Sequence, residues 1–365
     1  MAKDTTFYDL TICDIVHETD AAISVYLDVP DSLKDTFRFK AGQYLTFRMH
    51  INGQEVRRSY SLCTSPDEPA PAVTVKRVKG GLVSNFIHDN LKVGSTLEVM
   101  PPDGRFTIEP DPERRRSYYF IGAGSGITPL MSQIKCLLEH EPMSTLHLFY
   151  GNRDLDSIIF KETLEKLSET HEGQLTVDHI LSKPVKRGLF GLGKSKGPVW
   201  TGPRGRIDAD HLGTWLDTYP AQQGGLYLIC GPGNMIETVR QALLRRGVDE
   251  ANIRAEYFTP ADQPASKMAS AGPVDKATLT AHLNGETITI PIAEKTVLET
   301  LQDAGYDPPF SCTSGACATC MAKVLKGSVE MEMCFALNDA EVEDGYVLTC
   351  QSHPTSEQLE LTYDV

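Results

Sequence analysis

No uninterrupted apolar run in this 365-residue chain approaches the ~20 residues a membrane-spanning helix requires. The opening Met1-Ala2-Lys3-Asp4-Thr5-Thr6 lacks the apolar segment of a secretory signal, so a cytoplasmic protein with no membrane partner is expected. No internal repeat is visible. Arginine is missing altogether after Val274. There, 15 Asp and Glu face four lysines, a balance of −11, while residues 1–273 carry 34 acidic and 31 basic groups, or −3. A compact acidic module on a near-neutral body argues against nucleic acid as a partner. It suits docking on a basic patch of another protein, or simply keeps a surface solvated.

The spacing of a disulfide framework is also missing. Of nine cysteines, Cys13, Cys63, Cys136 and Cys230 are scattered, and Cys312, Cys317, Cys320, Cys334 and Cys350 crowd the last fifth of the chain. In a reducing compartment such crowding reads as metal ligation. Hydrophobic content of 41% and charge content of 23% are ordinary for a soluble globular protein. The length suggests two or three domains.

Residues 7 to about 110 are β-rich. Tyr44 to Ile51 alternates polar and apolar and runs into Asn52-Gly53, a hairpin turn signal. Val73 to Val78 is another short strand before Gly80-Gly81, and Ser84 to Leu91 one short helix, so an antiparallel barrel is expected. Near residue 117 the pattern changes. Strands at Tyr118–Ile121, Leu146–Tyr150, Leu175–Val177 and Leu226–Cys230 alternate with helices through Leu137-Leu138, over Ile158–Leu167 and over Met235–Leu244. That alternation implies a doubly wound parallel α/β sheet. The Gly- and Lys-rich stretch 183–206 is long for a loop in such a domain; it is either a surface loop or a contact to cofactor or partner. Residues 259–275 have linker composition. Beyond them, Ala277 to Ile292 reads as a hairpin turning at Asn284-Gly285. Val297, Leu298, Leu301 and Ala304 share a helical face closed by Gly305.

Cys312, Cys317 and Cys320 have the spacing C-x4-C-x2-C, and Cys350 follows 29 intervening residues later. This is the plant-type ligand pattern for a [2Fe–2S] cluster, with small residues letting backbone N–H groups approach the sulfurs. Zinc prefers paired C-x2-C knuckles, and only one such pair exists here. Cys334 lies outside the pattern.

Arg58-Ser59-Tyr60-Ser61 sets an arginine for phosphate beside an aromatic ring and hydroxyls, a combination suited to a flavin. About 25 residues on, Gly81-Leu82-Val83-Ser84 opens a helix whose N–H groups can hold a pyrophosphate. Gly122-Ala123-Gly124-Ser125-Gly126-Ile127-Thr128-Pro129 follows a strand and opens a helix, as a dinucleotide loop does. Cys230-Gly231-Pro232-Gly233-Asn234-Met235 is either a second such element or a plain strand-to-helix turn.

With these motifs in view, residues 7–258 resemble the ferredoxin–NADP reductase superfamily and residues 275–365 resemble plant-type ferredoxins. The domain order is similar to that of the phenylacetyl-CoA epoxidase reductase subunits and related oxygenase reductases. The resemblance implies an FAD-binding barrel at 5–112, an NAD(P)-binding α/β domain at 113–258, a linker at 259–274 and a β-grasp [2Fe–2S] ferredoxin domain at 275–365. It implies that Arg58, Ser59, Tyr60, Ser61, Thr74, Val75, Lys76, Gly81, Leu82, Val83 and Ser84 bind FAD, and that Phe258 covers the flavin. The loop Gly122, Ala123, Gly124, Ser125, Gly126, Thr128 and Pro129 would take the dinucleotide, together with Asn152, Arg153, Cys230, Gly231, Pro232 and Met235. Tyr60, Ser61, Cys230 and Glu256 would stand at the reacting rings. Thr64 replaces a Ser common in the family and keeps its hydroxyl. Arg153 favours the 2′-phosphate of NADPH, with Asp154 and Asp156 keeping NADH open.

A nicotinamide gives two electrons as a hydride and a [2Fe–2S] cluster takes one at a time, so a flavin between them is the required converter. The expected activity is an NAD(P)H-dependent oxidoreductase feeding a multicomponent oxygenase. Ring-hydroxylating, steroid or alkane monooxygenases are alternative acceptors, as are nitric-oxide or hybrid-cluster protein systems. A scaffold without turnover is the non-enzymatic alternative.

Overall fold

The computed structural model describes residues 6–184, 200–221, 224–259 and 277–364. Most of the 183–206 stretch and nearly all of the expected linker lie outside the described residues. No helix among the described residues is long and apolar enough to cross a membrane.

The first unit holds β1 (Tyr8–Thr19), β2 (Ala22–Asp28), β3 (Tyr44–Ile51), β4 (Gln54–Ser61), β5 (Ala72–Lys76), α1 (Leu82–Asn90) and β6 (Thr96–Asp103). The strands are antiparallel in the order β4-β3-β6-β1-β2-β5, and a bridge between Leu62 and Val73 joins the two edges into a barrel. Asn52 and Gly53 both have positive φ, 54° and 77°, the backbone a two-residue hairpin demands. That turn fixes the register Tyr44↔Ser61 through Ile51↔Gln54. The period-two pattern puts Leu45, Phe47 and Met49 into a core with Leu10, Ile12, Val25 and Val99. α1 starts two residues earlier than its sequence pattern suggests, because Gly81 takes the N-cap position.

The second unit is a parallel sheet in the order β11-β10-β7-β8-β9. Its elements are β7 (Ser117–Ala123), α2 (Ile127–His140), β8 (Thr145–Asn152), α3 (Lys161–Thr170), β9 (Leu175–Leu181), α4 (Ala209–Thr218), β10 (Gly225–Pro232), α5 (Gly233–Arg245) and β11 (Ile253–Thr259). Both faces are covered: Tyr118 and Phe120 of β7 join one core, and their neighbours Tyr119 and Ile121 join the other. The helix expected over Ile158–Leu167 begins instead at Lys161, because Phe160 adopts a left-handed φ of 61° that no helix propagates. α4 was not anticipated. Its start is set by Asp208, whose carboxylate accepts the His211 N–H at 2.9 Å.

The third unit comprises β12 (Ala277–Leu283), β13 (Glu286–Ile292), α6 (Val297–Asp303), β14 (Met321–Lys326), β15 (Val329–Met331), α7 (Asp339–Glu343), β16 (Tyr346–Leu348), β17 (Ser352–Pro354) and β18 (Gln358–Thr362). Its mixed sheet runs β13-β12-β18-β14-β16, with β12 parallel to β18, and α6 packs Val297 and Leu301 onto it. The hairpin turns at Asn284-Gly285, again with both φ positive.

The third unit is clamped to the barrel by Arg57 of β4, which is 4% exposed. Its guanidinium donates to Glu55 Oε1 and to Asp307 Oδ1, each at 2.8 Å. It lies 5.0 Å from the Phe7 ring centroid and 4.3 Å from that of Phe310. A planar cation between two rings and two carboxylates uses features that lysine lacks. Arg57→Ala is therefore expected to weaken the docked arrangement by about 2 kcal/mol, the scale of hydrogen bonds to charged groups. Denaturant titration should show the third unit unfolding at lower denaturant than the barrel, with Arg57→Lys recovering part of the loss. One unshifted, common transition would contradict the clamp.

Candidate functional site

The strand order places a switch point between β7 and β10, where consecutive connections leave in opposite directions and a crevice opens beyond the strand ends. Cys230 of β10 pairs with Gly122 of β7 on one side and with Glu256 of β11 on the other. A Cβ on Gly126 would stand 2.1 Å from the Cys230 carbonyl oxygen, so only glycine lets the start of α2 approach β10 this closely. The Tyr150 hydroxyl donates to the Gly124 carbonyl at 2.8 Å, and the Thr128 hydroxyl to that of Ser125 at 3.1 Å. Both bonds fix the loop ahead of α2, with Pro129 in its first turn. A Cβ on Gly231 would come within 3.1 Å of Met235 Cε and 3.3 Å of the Ala123 nitrogen, so the two glycine turns touch. Pro232 is the exposed N-cap residue of α5.

The barrel supplies the opposite wall. Ser61 Oγ donates to Glu256 Oε2 at 3.1 Å across the two units. Burial pushes the Glu256 carboxyl up to about 8, and burial together with Glu256 raises the Cys230 thiol well above its ordinary value. Buried Ser61 and Cys230 thus meet the half-buried Glu256, while Phe258, two residues beyond Glu256, is 36% exposed. Tyr60 packs on Phe47 with ring centroids 5.6 Å apart, and Arg58 is exposed beside it. Gly81 caps α1, and Ser84 Oγ accepts the Val78 N–H at 3.1 Å, closing the turn that presents the α1 N-terminus with Leu82 and Val83.

Three of the residues expected at the flavin have other partners. Ser59 Oγ bonds Ser311 Oγ at 2.7 Å and Thr46 at 3.1 Å, facing the third unit. Thr74 Oγ1 bonds Ser24 Oγ at 2.7 Å and donates to Cys63 Sγ at 3.3 Å inside the barrel. Val75 is fully buried, its carbonyl bonded to His88 Nε2 at 2.9 Å. Strand alternation accounts for Ser59, which points to the face opposite its neighbours Arg58 and Tyr60. Lys76 reaches across to the second unit, its Nζ 3.2 Å from where a Gly124 Cβ would stand. Burial, and then Arg153, lower its pKa. Arg153 sits just past β8 and donates to Asp154 Oδ2 at 2.8 Å, so two cations converge beside the glycine loop, with buried Asn152 ending the strand.

In the third unit the four cysteines fall into two pairs. Cys312 interacts most strongly with Cys317, and Cys320 with Cys350. In each pair one thiol is held low: Cys312, down to about 5 through its bonds from Cys317 and the Ser314 and Ala316 backbone, and Cys350 through Cys320. Among the described residues no three of these sulfurs gather within 4.8 Å of one another. Two separated pairs fit two irons taking two thiolates each, whereas one tetrahedral zinc would draw all four together. Donors surround the sulfurs: Ser314 N–H on Cys312 Sγ at 3.4 Å and Thr319 Oγ1 at 3.1 Å from Cys317 Sγ. Gly315 has φ 72°, and a Cβ there would sit 2.7 Å from the Met333 carbonyl. Thr313 and Ala318, at φ 52° and 53°, accept the left-handed backbone without being glycine. The cluster loop is held too firmly for the usual preference to decide. Cys334 stays outside, half-buried, its thiol pushed up to about 11 by burial.

The cluster loop is docked on the barrel, a feature that sequence reading missed. Tyr44, at the start of β3, lies 2.7 Å from the Cys317 carbonyl, 2.8 Å from Thr319 Oγ1 and 3.0 Å from Asp103 Oδ2. Burial raises this phenol well above its ordinary value, so it remains a donor. Arg105 pairs with Glu341, and the Tyr257 ring lies 5.3 Å from Phe335. No local pattern marks the contacts between units, because their partners stand more than 70 residues apart.

Known proteins share this construction. Residues 15–108 match the oxidoreductase FAD-binding domain family, 120–241 the oxidoreductase NAD-binding domain family and 281–355 the 2Fe-2S iron-sulfur cluster binding domain family. The ferredoxin reductase component of a 3-ketosteroid-9-alpha-monooxygenase from Rhodococcus rhodochrous is 36% identical over 97% of this chain and 96% of its own length. One of the subunits of 1,2-phenylacetyl-CoA epoxidase from Escherichia coli is 32% identical over 99% of this chain and 98% of its own length. The solved structure of phthalate dioxygenase reductase, described as modular electron transfer from pyridine nucleotides to [2Fe-2S], covers 98% of both chains at 25% identity and a TM-score of 0.56. The domain matches support FAD, a pyridine nucleotide and a [2Fe–2S] cluster as cofactors, as the motifs had suggested.

The raised Glu256 carboxyl gives a pH test. Between the ordinary carboxyl range and about pH 8 the folded chain holds a proton here that the unfolded chain has lost. Stability therefore falls as pH rises through that window. Glu256→Gln cannot titrate, so in flavin-free protein it should gain stability relative to wild type between pH 5 and pH 8.5 in urea titrations. An equal difference at both pH values would show an unshifted carboxyl.

Proposed function

Since the chain belongs to the family of FAD- and [2Fe–2S]-dependent reductase components of oxygenases, we propose that it carries electrons from NADPH to the terminal component of such an oxygenase. The observation that carries this reading is the docking of the Cys317–Thr319 turn on the flavin barrel through Tyr44. It brings the ligand loop to the domain that would hold the flavin. Bound FAD would supply the change from a two-electron hydride to single electrons, and the cluster a one-electron relay.

The chain's own residues do the rest. Arg58 would meet the flavin phosphates, with the α1 N-terminus beside them. Tyr60 would pack on the isoalloxazine ring, and Ser61, held by Glu256, would face its edge. The glycine turns at 122–126 and 231–233 would take the dinucleotide, and Phe258 would yield to the nicotinamide ring. Lys76 and Arg153 together favour the additional phosphate of NADPH over the bare ribose of NADH. The two relatives serve a steroid monooxygenase and an acyl-CoA epoxidase, so the choice of acceptor lies in the docking surface rather than the electron path. Asp307 and Glu341 are occupied by Arg57 and Arg105, and Asp303, Glu332 and Glu360 by Lys295, His353 and His282, so the net acidic balance of the third unit, rather than these groups, would meet a basic acceptor in the cytoplasm.

Two measurements check this. Arg153→Ala should lower kcat/KM for NADPH about tenfold, the scale of one bond to a charged group, and leave NADH nearly unchanged. Equal losses for both nucleotides would remove Arg153 from the phosphate site. Electron delivery to the oxygenase component should weaken as salt rises, whereas the reduction of ferricyanide should not. Salt-independent delivery would remove the acidic surface from docking.

A further inference from the structure

Four oxygens meet at one point between barrel and cluster loop. Tyr44 Oη lies 3.0 Å from Asp103 Oδ2, 2.7 Å from the Cys317 carbonyl and 2.8 Å from Thr319 Oγ1. Thr319 Oγ1 is in turn 3.1 Å from Cys317 Sγ. Only two hydroxyl protons are available, one on each side chain. A carboxylate and a carbonyl only accept, so the phenol proton serves one of them. The Tyr44–Thr319 contact then requires the Thr319 proton. A thiolate bound to iron also only accepts, so one proton has two claimants: the Tyr44 oxygen on the barrel and the Cys317 sulfur in the third unit.

We infer that Tyr44 is a positioning residue that couples docking of the ferredoxin domain to the reduction potential of its cluster, by drawing the Thr319 proton away from Cys317 Sγ while the domain is docked. The inference rests on the reading of the four cysteines as [2Fe–2S] ligands. Hydrogen bonds to cluster sulfurs stabilise the reduced, more negative state and raise the potential. Docking therefore lowers the potential, and release raises it as the hydroxyl turns to the sulfur. Linkage makes the effect reciprocal: an electron arriving from the flavin enriches the sulfur, claims the proton and weakens a docking bond. No proton is exchanged with solvent; one hydroxyl reorients. The domain is held while it is oxidised and loosened once it is charged, which suits delivery to a separate acceptor.

The test is anaerobic redox titration of the full-length holoprotein, reading the reduced cluster by EPR. Tyr44→Phe should raise the potential by the equivalent of about tenfold in the reduction equilibrium, ~59 mV for one electron. Thr319→Val should not raise it, and adding Tyr44→Phe to Thr319→Val should change nothing further. Thr319→Ser, which keeps the hydroxyl, should behave as wild type. A potential unchanged or lowered in Tyr44→Phe overturns the inference, as does a rise that persists without the threonine. Absence of any reduced-cluster signal in wild type would instead overturn the underlying cluster reading. Should Tyr44→Phe fail to assemble, hydrogen exchange decides. Amides around Ser311 and Thr319 should exchange about tenfold faster in reduced than in oxidised wild type, and equally in both states of Thr319→Val. Equal exchange in both states of wild type overturns the coupling.

Discussion

One strand holds the molecule's working parts together. On β4, Arg57, Ser59 and Ser61 share a face, and each bonds a different distant segment: Asp307, Ser311 and Glu256. Two of these partners lie in the cluster-bearing unit and the third in the dinucleotide unit. The alternate residues, Arg58 and Tyr60, are assigned to the flavin, as is Ser61 at the strand end. A period of two residues, imposed by the pleat alone, lets one short strand address all three cofactor sites.

The register that makes this possible depends on Asn52-Gly53. A one-residue slip at that hairpin would exchange the faces of β4, turning Arg57 towards the flavin side and Arg58 towards Asp307. The contacts around the slip are unlike in kind. Arg57 is a buried cation between two rings, whereas the Ser59–Ser311 and Tyr44–Thr319 contacts are neutral hydrogen bonds that can form and break at little cost. A junction built mainly from polar contacts is suited to a domain that must receive an electron and then hand it on.

Much of this was legible in the sequence. The cysteine spacing pointed to the ligand set because iron–sulfur geometry constrains it, and the two Asn-Gly turns fixed their hairpins because positive φ is expensive elsewhere. The glycine loops were readable for the same reason. Local pattern failed where tertiary contacts decide. Nothing near Phe160 signals its left-handed backbone, and nothing in Arg58-Ser59-Tyr60-Ser61 says that Ser59 turns away to Ser311. Nor does the family place of Thr74 show that its hydroxyl is engaged by Ser24 and Cys63. Tyr44 and Arg57 were invisible as functional residues because their partners in the third unit lie some 250 residues or more away.

Electrons from a nicotinamide would reach the sulfur-bound cluster within a single chain, across the junction built on β3 and β4. Rapid-freeze EPR after anaerobic mixing with NADPH, repeated over a wide range of protein concentration, tests it most directly. The reduced-cluster signal should follow flavin bleaching at a rate that does not depend on protein concentration. A rate rising in proportion to concentration, or bleaching with no cluster signal, would contradict the account.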